Sequence, residues 1–184
     1  HFLEHMFFKG SRKYPSAEKI STIIDGIGAI NNAFTHKECT AYWIKSASRH
    51  IELASDILSS MTSESLLSEE EIEKEKGVIV EELRMIKDNP AQYIGRLYEG
   101  LQFGDQPLGW DIGGEEKIIQ TFKREDFIQY VNSLYSPQNI VLVFAGKLPK
   151  DIQRLAEKYF LELPQRGKFI VEPYSFIIFA ISYC

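Results

Sequence analysis

The stretch His1-Phe2-Leu3-Glu4-His5 constrains this chain more than any other. On a helix of about 100° per residue, His5 lies about 40° round from His1 and Glu4 about 60° the other way, so three polar side chains share one face. Two imidazoles one turn apart can bind a single metal through neutral nitrogens, and a carboxylate between them can hold and deprotonate a metal-bound water. That is the chemistry of a zinc hydrolase. The order H-x-x-E-H inverts the commoner H-E-x-x-H. The competing reading is two solvated histidines on a helix face.

A third ligand has to come from elsewhere, and the run Glu75 to Glu82 supplies candidates. It falls inside a long helical pattern, and Glu75 and Glu82, seven residues apart, project from nearly the same side. One can reach the metal while the other supports the site.

With those residues stand Met6, Phe8-Lys9-Gly10 and Asn32-Ala33-Phe34-Thr35. Together the motifs resemble the catalytic N-terminal domain of the pitrilysin-type peptidases. This is the M16 family of insulin-degrading enzyme and the mitochondrial processing peptidase, and the likeness is greatest to its processing-peptidase-like branch. The resemblance implies an α+β fold, a mostly antiparallel sheet packed with helices. It also implies a zinc-dependent endopeptidase of the inverzincin type that cuts unstructured peptides or presequences. His1, His5 and Glu82 would hold one zinc ion, Glu4 would be the general base, and Glu75 the second acidic residue beside the site. Glu81 is the rival third ligand, but it points about 100° away from Glu82, which suits solvent or a salt bridge.

In the resembled family the strand carrying Asn-Ala-Phe-Thr borders the cleft, where an extended peptide adds to it through main-chain hydrogen bonds. Asn32 and Ala33 would then meet substrate backbone, and Phe34 would help wall a side-chain pocket. A reading from the residues alone makes Phe34 core and Asn32 a turn cap. The resemblance further implies a homologous second half or partner subunit closing over the peptide. A different class stays open too, a non-catalytic subunit that binds peptides or supports a larger assembly.

The likeness runs from His1 to about Pro164, which is expected to be one incomplete domain, with 165–184 as a tail. Within that tail, Phe176 to Ile181 is uniformly apolar and fits either a core strand or an aberrant end. A ligand as the first residue suggests a piece cut from a longer chain at both ends, so any targeting segment would lie outside it.

Composition narrows the alternatives. A chain of 184 residues, 44% of them hydrophobic, can bury a sizeable core. A formal charge of −5, with no basic stripe interleaved with aromatics, argues against nucleic acid as partner. Cys39 and Cys184 show no disulfide or zinc spacing, which fits a reducing compartment, the cytoplasm or a mitochondrial matrix. No apolar run is long enough to cross a membrane as a helix.

Periodicity and punctuation predict the remaining elements. A first helix over 1–8 with Leu3, Met6 and Phe7 buried should stop at Gly10-Ser11. Ser16 caps a packing helix ending at Gly26-Ile27-Gly28. Two antiparallel strands, Asn31 to Thr35 and Cys39 to Ser46, flank a polar turn in which His36 is solvated. Residues 49–63 form a core helix, with His50 solvated near its start. Ser68 and Glu71 make a capping box for a helix ending near Asp88-Asn89-Pro90. Helices follow over 91–101, 115–120 and 124–134, a strand over 139–145 and a helix over 151–160. Lys123, where Ser or Thr would be usual, leaves the helix at Arg124 short of a cap worth about 1 kcal/mol.

Overall fold

The computed structural model describes residues 1–161 and 163, with 176–183 as backbone. The expected boundary at Pro164, the tail over 164–175 and Cys184 lie outside the described residues.

The chain opens with α1 (Phe2–Phe7), in which Phe2, Leu3, Met6 and Phe7 are buried and His1, Glu4 and His5 are half-buried. Six residues cannot hold a helix by themselves. Packing holds this one: the Phe7 ring lies 5.2 Å from that of Tyr42 and 5.1 Å from that of Tyr135, and the Phe2 ring lies 4.8 Å from Phe127. Gly10 then turns the chain at φ +131°, and a side chain there would run into the Pro15 carbonyl at 2.8 Å.

Helix α2 (Ala17–Gly26) is capped as its sequence predicts, Ser16 accepting the Lys19 N–H. Strand β1 (Ile30–Thr35) pairs antiparallel with β2 (Cys39–Ser46), and the pairing of Thr35 with Thr40 fixes the register. Helix α3 (Ile51–Ser63) lies on β2 and buries Ala54, Ile57, Leu58 and Met61. Helix α4 (Glu69–Lys87) starts at Ser68, which accepts the Glu71 N–H at 3.3 Å. It packs against α1, α5 (Pro90–Phe103) and α6 (Glu116–Ile119). Then come α7 (Arg124–Leu134), β3 (Ile140–Ala145), α8 (Ile152–Phe160) and β4 (Phe176–Tyr183).

Of the two fates open to the apolar tail, the strand is the one adopted. β4 lies between β2 and β3 in a four-stranded sheet of order β1-β2-β4-β3. The α+β class is as expected. Within the sheet, the β1–β2 pair is antiparallel, whereas β4 runs parallel to both neighbours. Connectivity is the reason: a short turn joins β1 to β2, while β3 reaches β4 through α8, and a crossover of that length returns the chain in the same direction.

At α7 the missing cap is made good from the other side. The Asp126 carboxylate accepts the Lys123 N–H at 2.8 Å, so one of the donors left over at the helix start is satisfied without a capping side chain. No helix among the described residues is long and apolar enough to cross a membrane.

Replacing fully buried Phe7 by Ala should cost about 3–5 kcal/mol of stability, read as a fall in the urea midpoint. The same truncation at Leu101, 86% exposed, should stay within about 0.5 kcal/mol.

Candidate metal centre

Helix α1 presents His1, Glu4 and His5 on the side away from its core face, and α4 runs past that side. The Nε2 atoms of His1 and His5 lie 3.3 Å apart. Glu82 of α4 sets one carboxylate oxygen 3.5 Å from His1 Nε2 and the other 3.7 Å from His5 Nε2. Four ligands arranged tetrahedrally at about 2.0–2.1 Å from zinc stand about 3.3 Å from one another. Each imidazole nitrogen thus has a Glu82 oxygen near that spacing, and one ligand atom from each of the three side chains lies within 4.8 Å of the others, close enough for a single ion. Among the described residues, no other His, Cys, Asp or Glu set converges in this way.

Glu75, one heptad before Glu82, turns inward and is 4% exposed. One of its oxygens accepts from His5 Nδ1 at 2.8 Å, and the other meets Lys9 Nζ at 2.5 Å. Burial pushes the Glu75 carboxyl up, but the hydrogen bonds from His5 and Lys9 outweigh it and hold the group below its ordinary value. A depressed carboxyl stabilises the fold above its ordinary value of 4.5 and loses that contribution as pH falls through the folded value. In a neutral His5 ring, a proton at Nδ1 leaves Nε2 as a bare lone pair facing His1 and Glu82. This is the form a metal ligand takes, with a carboxylate behind the ring. His1 Nδ1, by contrast, is buried and has no hydrogen-bond partner among the described residues.

Glu4 receives the Thr35 hydroxyl at Oε2, and Thr40 donates to the Thr35 hydroxyl at 3.5 Å. Asn32 and Phe34 are exposed on β1, which forms one edge of the sheet. The Asn32 amide oxygen accepts the Ala33 N–H at 2.8 Å. Phe34 is 39% exposed, its ring 4.9 Å from that of His36, so it lies at the surface rather than in the core.

Glu81 turns to solvent and pairs with Arg84 at 2.6 Å. His36 is exposed and His50 accepts from Arg49 Nε, so neither joins the cluster. The contacts of Lys9 and Thr35 had no counterpart in the sequence reading. Lys9 carried one signal: it follows His5 by four residues, as His5 follows His1, which places all three on one helical face.

The family model described as "Insulinase (Peptidase family M16)" matches residues 1–112, and "Peptidase M16 inactive domain" matches 121–182. The chain belongs to peptidase family M16. An uncharacterised zinc protease of Bacillus subtilis, YmxG, is 37% identical over 168 residues, covering 91% of this chain and 41% of that protein. The beta subunit of the mitochondrial-processing peptidase of Caenorhabditis elegans is 35% identical over 164 residues, covering 89% of this chain and 36% of the subunit. The chain thus spans about two-fifths of the length of the curated relatives it matches. A protease of Helicobacter pylori shares the M16 fold with a TM-score of 0.76 at 23% identity, covering 95% of this chain and 43% of that one. The first half of the periplasmic protease PqqL of Escherichia coli shares it with a TM-score of 0.71 at 19% identity, covering 95% of this chain and 39% of that one.

Replacing Glu75 by Ala should weaken zinc binding about 10–100-fold, measured by competition with a chromophoric chelator, because His5 loses the acceptor that orients it. Glu81→Ala should leave the affinity unchanged.

Proposed function

We propose that this chain carries the catalytic zinc site of an M16 endopeptidase that hydrolyses unstructured peptides or presequences. The carrying observation is the convergence of His1 Nε2, His5 Nε2 and the Glu82 carboxylate within 3.3–3.7 Å of one another. The names of similar proteins, zinc protease and mitochondrial-processing peptidase subunit beta, support the same reading. In it, His1, His5 and Glu82 would hold the ion, and Glu75 fixes the His5 ring from behind. Bound there, zinc would supply Lewis acidity, making water a better nucleophile near neutral pH and polarising the scissile carbonyl.

The chain's own residues do the proton work. Glu4 takes the proton of the attacking water and passes it to the departing amine as the peptide bond breaks. The Thr35 hydroxyl holds one Glu4 oxygen and leaves the other for the proton. Substrate lies along the free edge of β1 as an added strand, so most of its affinity comes from the main chain and selectivity from flanking pockets. Asn32 has its amide oxygen engaged with Ala33, which frees its NH₂ to donate to a substrate carbonyl. Phe34 walls the side-chain pocket. A homologous second half or partner subunit closes the cleft, a role for which the length of the relatives leaves room.

No observation favours the non-catalytic alternative. Glu4→Gln tests the difference, since Gln keeps the shape of the side chain and cannot take the proton. The variant should retain zinc at full stoichiometry and cleave a quenched fluorescent, unstructured peptide at least about 10²-fold more slowly. Cleavage at the unsubstituted rate would remove Glu4 from the mechanism. A Glu4→Gln chain that had also lost zinc would make Glu4 a ligand.

A further inference from the structure

Lys9 lies one helical turn beyond His5 and belongs to none of the roles assigned above. Its ammonium meets the Glu75 oxygen that His5 does not use, at 2.5 Å, while His5 Nδ1 meets the other at 2.8 Å. Glu75 is 4% exposed, so a carboxylate there depends on both partners for the hydrogen bonds that water would otherwise supply.

The backbone around Lys9 is fixed on both sides. Its N–H donates to the Met6 carbonyl at 3.1 Å, closing the last turn of α1. Directly after it, the Gly10 carbonyl accepts the Leu66 N–H at 3.0 Å, and the Arg12 N–H donates to the Glu64 carbonyl at 3.0 Å. Ser11 forms a β-bridge with Ser65, and their neighbours lead within four residues into α4, which carries Glu75. Lys9 and Glu75 are therefore tied to one another through the main chain as well as through their side chains. Only glycine fits at position 10, where φ is +131° and a Cβ would meet the Pro15 carbonyl at 2.8 Å. That close turn sets where the Lys9 side chain begins.

We propose that Lys9 is a positioning residue for the metal centre, a clamp on Glu75 that fixes the orientation and tautomer of His5 and so presents Nε2 as a lone pair before any ion arrives. It acts through Glu75 and touches neither metal nor substrate. This rests on the metal-site reading given above. With the ammonium in place, the Glu75 carboxylate is held at its far oxygen and cannot rotate away from the imidazole. Without it, Glu75 can swing, and His5 can place its proton on either nitrogen.

Two measurements test this, and the first needs no metal. In the metal-free protein, ¹⁵N chemical shifts of His5 should show a proton on Nδ1 and none on Nε2, and in Lys9→Met they should show a mixture of tautomers. In the second, the zinc affinity of Lys9→Met should fall about tenfold by competition titration, at the low end of what outer-shell partners contribute. Lys9→Arg, which offers a fork of donors to the same carboxylate, should recover most of it and restore the tautomer. Lys9→Met with unchanged affinity and unchanged tautomer would overturn the proposal, and so would a parent protein whose metal-free His5 carries its proton on Nε2. If Lys9→Met does not fold, Lys9→Gln replaces it, and the parent tautomer together with the Arg variant still decides. A parent protein that bound no zinc, yet showed the Nδ1 tautomer lost in Lys9→Met, would sink the zinc-site reading and leave the clamp standing.

Discussion

The candidate metal centre depends on the burial of one face of a very short helix. Phe2, Leu3, Met6 and Phe7 are each under 9% exposed, and burying a side chain of that size stabilises by about 1.5–3 kcal/mol. A six-residue helix has no comparable stability of its own. Once those four side chains face inward, the rotation of α1 about its axis is settled, and His1, Glu4 and His5 have only the side next to α4 and β1 to occupy. The site is the polar remainder of a packing decision.

Charge completes what packing begins. Glu4, Glu75 and Glu82 bring three carboxylates to one small region, and Lys9 supplies one side-chain ammonium within it. Counting side chains alone, with neutral imidazoles, two net negative charges remain, partly withdrawn from water. Such a cluster repels itself unless a cation joins it, and a divalent ion bound by two nitrogens and a carboxylate matches both the charge and the donor types. On the proposed reading the Lys9–Glu75 contact has a second consequence: with both of its oxygens already engaged, Glu75 would not compete with Glu82 for the ion.

Much of this was legible in the sequence, and the reason differs from residue to residue. The four-residue step from His1 to His5 and the seven-residue step from Glu75 to Glu82 are helical arithmetic, which survives any tertiary context. Glu81 could be set aside on the same grounds. What stayed hidden was contact between distant segments, such as Thr35 with Glu4 and Lys9 with Glu75, where no periodicity links the partners. The tail Phe176–Tyr183 was illegible for another reason. The run Phe176–Ile181 is apolar throughout and shows no alternation, so its residues cannot say which neighbours the strand has or in which direction it runs beside them. Lys123 shows the limit of cap rules, since Asp126 three residues on does the work from inside the helix.

On the proposed reading, the pleat of β1 links the edge that takes substrate to the general base. Along this strand, Asn31, Ala33 and Thr35 are half-buried while Ile30, Asn32 and Phe34 are exposed, as a period of two requires. Thr35 reaches Glu4 only because it falls on the inner side, and Asn32 and Phe34 are available at the edge only because they fall on the other. A register slip of one residue would exchange the two sets, turning Thr35 outward and burying Asn32 without a partner. The pairing of Thr35 with Thr40, reinforced by a hydrogen bond between their hydroxyls, guards against that slip at the end of the strand nearest the metal centre. The exposure of Asn32 and Phe34 and the contact of Thr35 with Glu4 are thereby set by one ladder, and neither can shift without the other.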